Sequence, residues 1–219
     1  MPTTEVAVFP LKAGSNPGDP DSVTAKVLKS AFDTLNTVDG MQQIQFGPRV
    51  EDPTAFVLMV NWDSKKHHED FTATDAYGPF FKNVMSIVDG APLMFVHADF
   101  KPEGSLSKTF SAPVTEMAVF YFEGGPPSDY LEGVEKLNKV LEEHTPEGLL
   151  SSSAGITYED VEKDGIKGKA AIVTIGWQSI ESHMAFRSSQ VFKDNIHLLR
   201  STSKKVEMNH IAFMQYLEG

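Results

Sequence analysis

The sequence predicts an α+β protein in which one β-α-β-β-α-β unit is written twice and the two antiparallel sheets pack into one barrel within the chain. Three observations predict it. EVAVF at residues 5–9 returns as EMAVF at 116–120, 111 positions on. NWDSKKHHEDFTATDAYGPFFK (61–82) lies over GWQSIESHMAFRSSQVFKDNIH (176–197) without a gap, so Trp62 meets Trp177, Ser64 meets Ser179, His68 meets His183, Phe71 meets Phe186 and Tyr77 meets Phe192. MFVHADF (94–100) lies over EMNHIAF (207–213), placing His97 on His210 and Phe100 on Phe213. The matches keep their order while their offsets drift from 111 to 115 to 113, as in an internal duplication whose loops alone gain or lose residues.

Each half has the same grammar. Thr3–Leu11 is rich in β-branched and aromatic residues and predicts a strand. Asp21 or Ser22 can cap a helix whose apolar positions Val27, Leu28, Ala31, Phe32 and Leu35 fall at helical spacing. Met41–Phe46 and Ala55–Trp62 predict strands, Ser64–Phe71 and Pro79–Val88 helical segments, and Pro92–Phe100 a last strand. The second half predicts strands at Val114–Phe122, Leu149–Tyr158, Ala170–Trp177 and Val206–Tyr216, with a helix at Tyr130–Glu143 whose Tyr130, Val134, Leu137 and Leu141 share one face. Lys101–Pro113 has linker chemistry, and Asp160–Lys169 predicts an exposed hairpin loop. The expected organisation is therefore a first ferredoxin-like repeat over 1–104, a linker over 105–113 and a second repeat over 114–219. Along Ala55–Trp62 both alternating sides are apolar. A sheet with helices on one face must bury the other too, and the second copy would supply that surface.

Composition narrows the function classes. The chain has 219 residues, a net charge of −11 and no cysteine. The acidic balance disfavours nucleic acid and anionic membrane surfaces, because both need a basic stripe. Disulfides, thiolate metal sites and cysteine nucleophiles are excluded. No apolar stretch approaches the roughly 20 residues that span a bilayer, and the first residues show no secretory pattern. A soluble cytoplasmic protein is expected, with no bound cofactor or metal and an outer surface that leaves room for a homodimer.

The order of elements, with W-[DQ]-S opening the second helical region of each half, resembles the dimeric α+β barrel superfamily, and within it the antibiotic-biosynthesis-monooxygenase branch, as a fused tandem pair. In the cofactor-independent anthrone oxygenases of that branch an Asn, a Trp, a Tyr and an Arg line the pocket. The resemblance carries these onto Leu58, Trp62, His68 and Lys82 in the first half, with Asn61 close to the Asn position. In the second half they fall on Val173, Trp177, His183 and His197. The catalytic pattern of the superfamily's polyketide cyclases falls on Phe71 and Tyr77 and is not kept. Haem-degrading members carry a stretch matched by SQVFK (189–193), and their axial His aligns with Ile196, one residue before His197.

These residues also have plain structural uses. A Trp ending an apolar strand packs the core, His68 and His183 can be hydrogen-bonded core histidines, and Lys82 can be a solvated charge. His97 and His210 alternate with apolar neighbours, and Glu5 and Glu116 need a partner or a raised pKa if they point inward. The leading expectation is a cofactor-independent monooxygenase- or cyclase-like enzyme acting on a small apolar, aromatic or polyketide-like molecule. His68, Tyr77 and Lys82 would do the chemistry, and Trp62, Phe71, His97 and Asn61 would hold the substrate. Trp177, His183, His197 and His210 are the second-repeat candidates. A haem-binding or haem-degrading protein, and a non-catalytic ligand-binding or stress-type protein, are the alternatives.

Overall fold

The structure is a computed structural model that describes residues 2–216. Its elements run in the order β1 (Thr3–Pro10), α1 (Val23–Asn36), β2 (Met41–Pro48), β3 (Ala55–Trp62), α2 (Lys65–Thr72), α3 (Tyr77–Met85), β4 (Met94–Ala98), α4 (Ser105–Phe110), β5 (Val114–Tyr121), α5 (Tyr130–His144), β6 (Leu149–Lys163), β7 (Ile166–Trp177), α6 (Ile180–Ser188), α7 (Gln190–Asn195), α8 (His197–Arg200), β8 (Lys205–Ile211) and β9 (Met214–Gln215). They form two compact units, one of residues 2–97 with 214–216, the other of 98–213. No helix among the described residues is long and apolar enough to cross a membrane.

The first unit has its strands in the order β4-β1-β3-β2-β9. β1 and β2 both run antiparallel to β3, with Thr3 opposite Trp62 and Ile44 opposite Val60. α1 starts where Ser22 accepts a hydrogen bond from the Ala25 amide at 3.0 Å, satisfying one of the orphan donors of its first turn. Its buried Leu28, Ala31, Phe32 and Leu35 pack with Ala7, Phe9, Ile44, Leu58 and Val60 into one core cluster. The other side of β1 and β3, carrying Val6, Val8, Val57 and Met59, is buried as well. That is the two-sided burial the apolar alternation requires.

The second unit repeats the plan, with strand order β8-β5-β7-β6 and a core cluster in which Tyr130, Val134, Leu137 and Leu141 of α5 meet Ala118, Phe120, Val173 and Ile175. Both units are ferredoxin-like. A glycine repeats too. Gly40 and Gly148 sit at φ +76° and +80°, where a Cβ would come within 2.3 Å of His67 and 2.4 Å of Ser182. Their carbonyls accept from Asp63 and Gln178, the residues that follow the two tryptophans, at 2.7 and 2.8 Å. Only glycine allows this turn and this approach.

Three segments differ from expectation. The expected linker Lys101–Pro113 contains α4, whose Leu106, Thr109 and Phe110 are buried and whose Thr109 carbonyl accepts from the Thr115 hydroxyl at 2.8 Å. Asp160–Lys169 is the exposed hairpin expected, but it is paired strand almost to its tip. β6 and β7 pair through Asp160–Lys169, Glu162–Lys167 and Lys163–Ile166, and the turn shrinks to Asp164-Gly165, both at positive φ. An Asp-Gly turn of this kind matches the twist of its strands, and opposite charges face each other along the hairpin. The last expected strand, Val206–Tyr216, is broken after Ile211, and β9 pairs with β2 at Gln45 and Phe46.

One buried group stands out in the second unit. The Tyr130 hydroxyl has no hydrogen-bond partner among the described residues, and burial pushes its pKa up. Tyr130→Phe removes an unsatisfied polar atom, so it is expected to stabilise the chain by about 1 kcal/mol, read from the urea midpoint. A loss of stability would show that the hydroxyl is satisfied.

Candidate functional site

In the first unit, strand register builds the site. Glu5 lies opposite Val60 and Trp62 opposite Thr3, so Glu5 and Trp62 are diagonal neighbours on one face of the sheet. The Trp62 indole N–H donates to Glu5 Oε2 at 3.1 Å. α2 begins three residues after Trp62 and its first full turn carries His68 back over the indole. The two rings stack, with centroids 5.1 Å apart and planes at 19°. His68 Nε2 is 3.6 Å from Glu5 Oε2, and His68 Nδ1 lies 2.7 Å from Nε2 of His97 on β4. Glu5, His68 and His97 are all buried.

These three groups offer donor atoms within 4.8 Å of one another. Glu5 and His97 stand at opposite ring nitrogens of His68, however, so the groups form a chain Glu5–His68–His97. A metal ligand set has to converge on one point instead. A chain of this kind passes a proton along and stabilises an imidazolium at its centre.

The second unit holds the same chain. Trp177 Nε1 donates to Glu116 Oε2 at 3.1 Å, His183 Nε2 is 3.1 Å from the same oxygen, and His183 Nδ1 lies 2.7 Å from His210 Nε2. Trp177 stacks on His183 at 5.3 Å and 19°. Burial pushes Glu116 up to about 7, against the opposing pull of the Trp177 N–H and the Arg187 charge.

Each chain faces a cavity inside its own unit. That of the first is about 30 Å³ and lined by Glu5, His68, Tyr77 and a ring of aromatic and aliphatic side chains that includes Phe71, Phe80, Phe81 and Phe95. That of the second is about 70 Å³, lined by Glu116, His183, Arg187, Arg200 and mostly apolar residues. The first has room for about one water. Phe81 and Phe95, 38% and 37% exposed, are the two exposed side chains of the lining, the first stacked on Tyr77 and the second against His68 and His97.

The structure thus brings together His68, His97, Phe71 and Tyr77. Trp62 is fully buried and lies behind His68, so it orients the histidine and the glutamate and has no face for a substrate. Burial and the Glu5 carboxylate push the Tyr77 hydroxyl above the ordinary phenol range, which keeps it a donor at neutral pH. Lys82 is exposed on α3 and outside the cavity lining. Asn61 points to the other face of β3, where it accepts from the Thr4 hydroxyl at 2.8 Å. In the second unit Trp177, His183 and His210 come together, while His197 is exposed at the start of α8. Sequence reasoning passed over Glu5 and Glu116 as site residues, although the repeated E-x-A-V-F marked both. It also passed over Arg187, which has no counterpart in the first half.

Trp62→Phe keeps the ring and deletes the N–H. Glu5 then loses a buried donor, at an expected cost of about 1–3 kcal/mol, measured as a lower urea midpoint at unchanged slope. Equal stability would mean that the indole does not hold the carboxylate.

No sequence-family profile matches the chain, and no curated protein does. Solved structures do. An anthrone oxidase-like protein superposes over 98% of this chain and 93% of its own, with TM-score 0.65 and 12% identity. A monooxygenase candidate from Lactobacillus acidophilus NCFM covers 98% and 95%, at TM-score 0.59 and 10% identity. A chlorite dismutase candidate covers 97% and 94%, at TM-score 0.59 and 12% identity. Such identities speak for the fold alone, and they do so over nearly the whole length of each chain: this protein has the ferredoxin-like α+β fold of these three proteins.

Proposed function

We propose that the protein is a monooxygenase-like enzyme that removes a proton from a small, apolar, weakly acidic molecule in the first unit, using its own side chains. The observation that carries this reading is the buried Glu5–His68–His97 chain opening on an aromatic-lined cavity. His68 takes a proton from a phenolic O–H or an activated C–H at its Nε2. Glu5 stabilises the imidazolium that forms, and the Nδ1 proton is shared with His97. The Tyr77 hydroxyl donates to the oxyanion left on the substrate. The electron-rich anion then reacts with O₂. A methylene and O₂ become a ketone and water, so the substrate supplies all the electrons and no added reductant is needed. Ring closure would share the first step, and oxygen uptake separates the two outcomes.

The monooxygenase candidate and the anthrone oxidase-like protein that share the fold favour this class. The residues do not favour haem: Ile196 stands where the resemblance puts the axial histidine, and His197 is exposed at the start of α8. The test is oxygen uptake in the presence of enolisable ketones and phenols graded from one ring to the three rings of anthrone. Absence of His68-dependent uptake across the series would sink the reading.

A further inference from the structure

We propose that the cavity of the second unit is a separate binding site for a short-chain apolar carboxylate, held at its mouth by Arg187 and Arg200. Both arginines line this cavity, whose wall otherwise includes Leu137, Val173, Ile175 and Met208. Neither guanidinium has a salt bridge or side-chain hydrogen bond among the described residues. The single carboxylate in the lining, Glu116, is turned to the Trp177 N–H and to His183, both at 3.1 Å. Two planar cations at the rim of an apolar hollow are thus held in no ion pair, although the charge of Arg187 reaches Glu116, and a guanidinium pairs best with a planar carboxylate through two parallel hydrogen bonds.

The first unit supplies the contrast. Thr72 aligns with Arg187 and Met85 with Arg200, both 115 positions earlier, and the first cavity has no arginine or lysine in its lining. The two hollows are built on one plan and differ in the charge at the mouth. Size narrows the guest further. A hollow of about 70 Å³ is about half of what encloses benzene, so it takes a short branched aliphatic tail while the carboxylate stays at the arginines.

The experiment is calorimetric titration of the full chain with isovalerate, and with isovaleramide as its uncharged twin of the same shape. The acid is expected to bind, and the amide to bind at least about tenfold more weakly, the loss that goes with charged hydrogen bonds. The double variant Arg187→Thr, Arg200→Met installs the residues of the first unit. It is expected to lower affinity for the acid by at least about tenfold without changing that for the amide, and Arg187→Lys alone to lose less. His68→Ala is expected to bind isovalerate like the unaltered chain, which keeps this site distinct from the reading of the first unit. Equal binding of acid and amide, full affinity in the double variant, no binding of isovalerate at millimolar concentration, or loss of binding in His68→Ala overturns the assignment.

Discussion

His68→Ala is expected to lower oxygen-dependent turnover about 10²–10⁴-fold, the usual contribution of a positioned general base, which corresponds to about 3–5 kcal/mol in the barrier. His183→Ala in the same assay should leave most of the rate. Lys82→Ala should leave nearly all of it, because that side chain is exposed and outside the cavity lining. His68 is buried and stacked on Trp62, so alanine also opens a hole. His68→Gln keeps much of the volume and should lose comparable activity with a smaller fall in the urea midpoint, and circular dichroism checks the fold of each variant. His97 acts through His68. His97→Asn should therefore move the pH profile of turnover and lower its height by less than His68→Ala does. Equal losses in His68→Ala and His183→Ala, or an active His68→Gln, would show that the chemistry sits elsewhere.

The fold was legible because burial repeats what sequence repeats. Leu28, Ala31, Phe32 and Leu35 predicted a helix face and are that face. The doubly apolar Ala55–Trp62 predicted a strand buried on both sides and is one. The misread segments each have a local cause. Lys101–Pro113 looked polar, yet Leu106, Thr109 and Phe110 are spaced to put one side of a short helix inward. Asp160–Lys169 looked like a longer hairpin loop because its side chains are charged, but alternating charges across a two-residue Asp-Gly turn suit strands paired almost to the tip. The histidines were legible from the alignment of the halves. The glutamates were not, since a carboxylate at a strand end is usually solvated. Its burial shows only once the diagonal between Glu5 and Trp62 is known. Arg187 and Arg200 could not stand out in a comparison that looked for what the halves share.

Glu116→Gln is expected to remove most of a pH dependence of stability that the unaltered chain shows between about pH 4.5 and 7. The side chain of Glu116 is only 13% exposed. Burial raises its folded pKa from the ordinary carboxyl value of 4.5 to about 7, while Trp177 and Arg187 pull it the other way. A carboxyl whose pKa is higher folded than unfolded binds its proton more tightly in the native state. Its contribution is fully present below pH 4.5 and is lost as the pH rises through about 7. A shift of this size is worth about 3 kcal/mol at most. The groups facing the carboxylate moderate it. His183 stands 3.1 Å away, His210 lies opposite on β8 and Arg187 adds positive charge, so an imidazolium can form as Glu116 ionises and recover part of the loss. The observable drop should therefore be about 1–3 kcal/mol. Glutamine keeps a carbonyl to accept from Trp177 and carries no charge at any of these pH values. Urea unfolding of both proteins at pH 4.5, 5.5, 6.5 and 7.5 isolates the effect, because titrating groups that are not coupled to Glu116 cancel in the difference. The variant should gain on the parent steadily across this range and level off above it. A difference that stays flat with pH would mean that Glu116 keeps an ordinary carboxylate pKa in the folded chain.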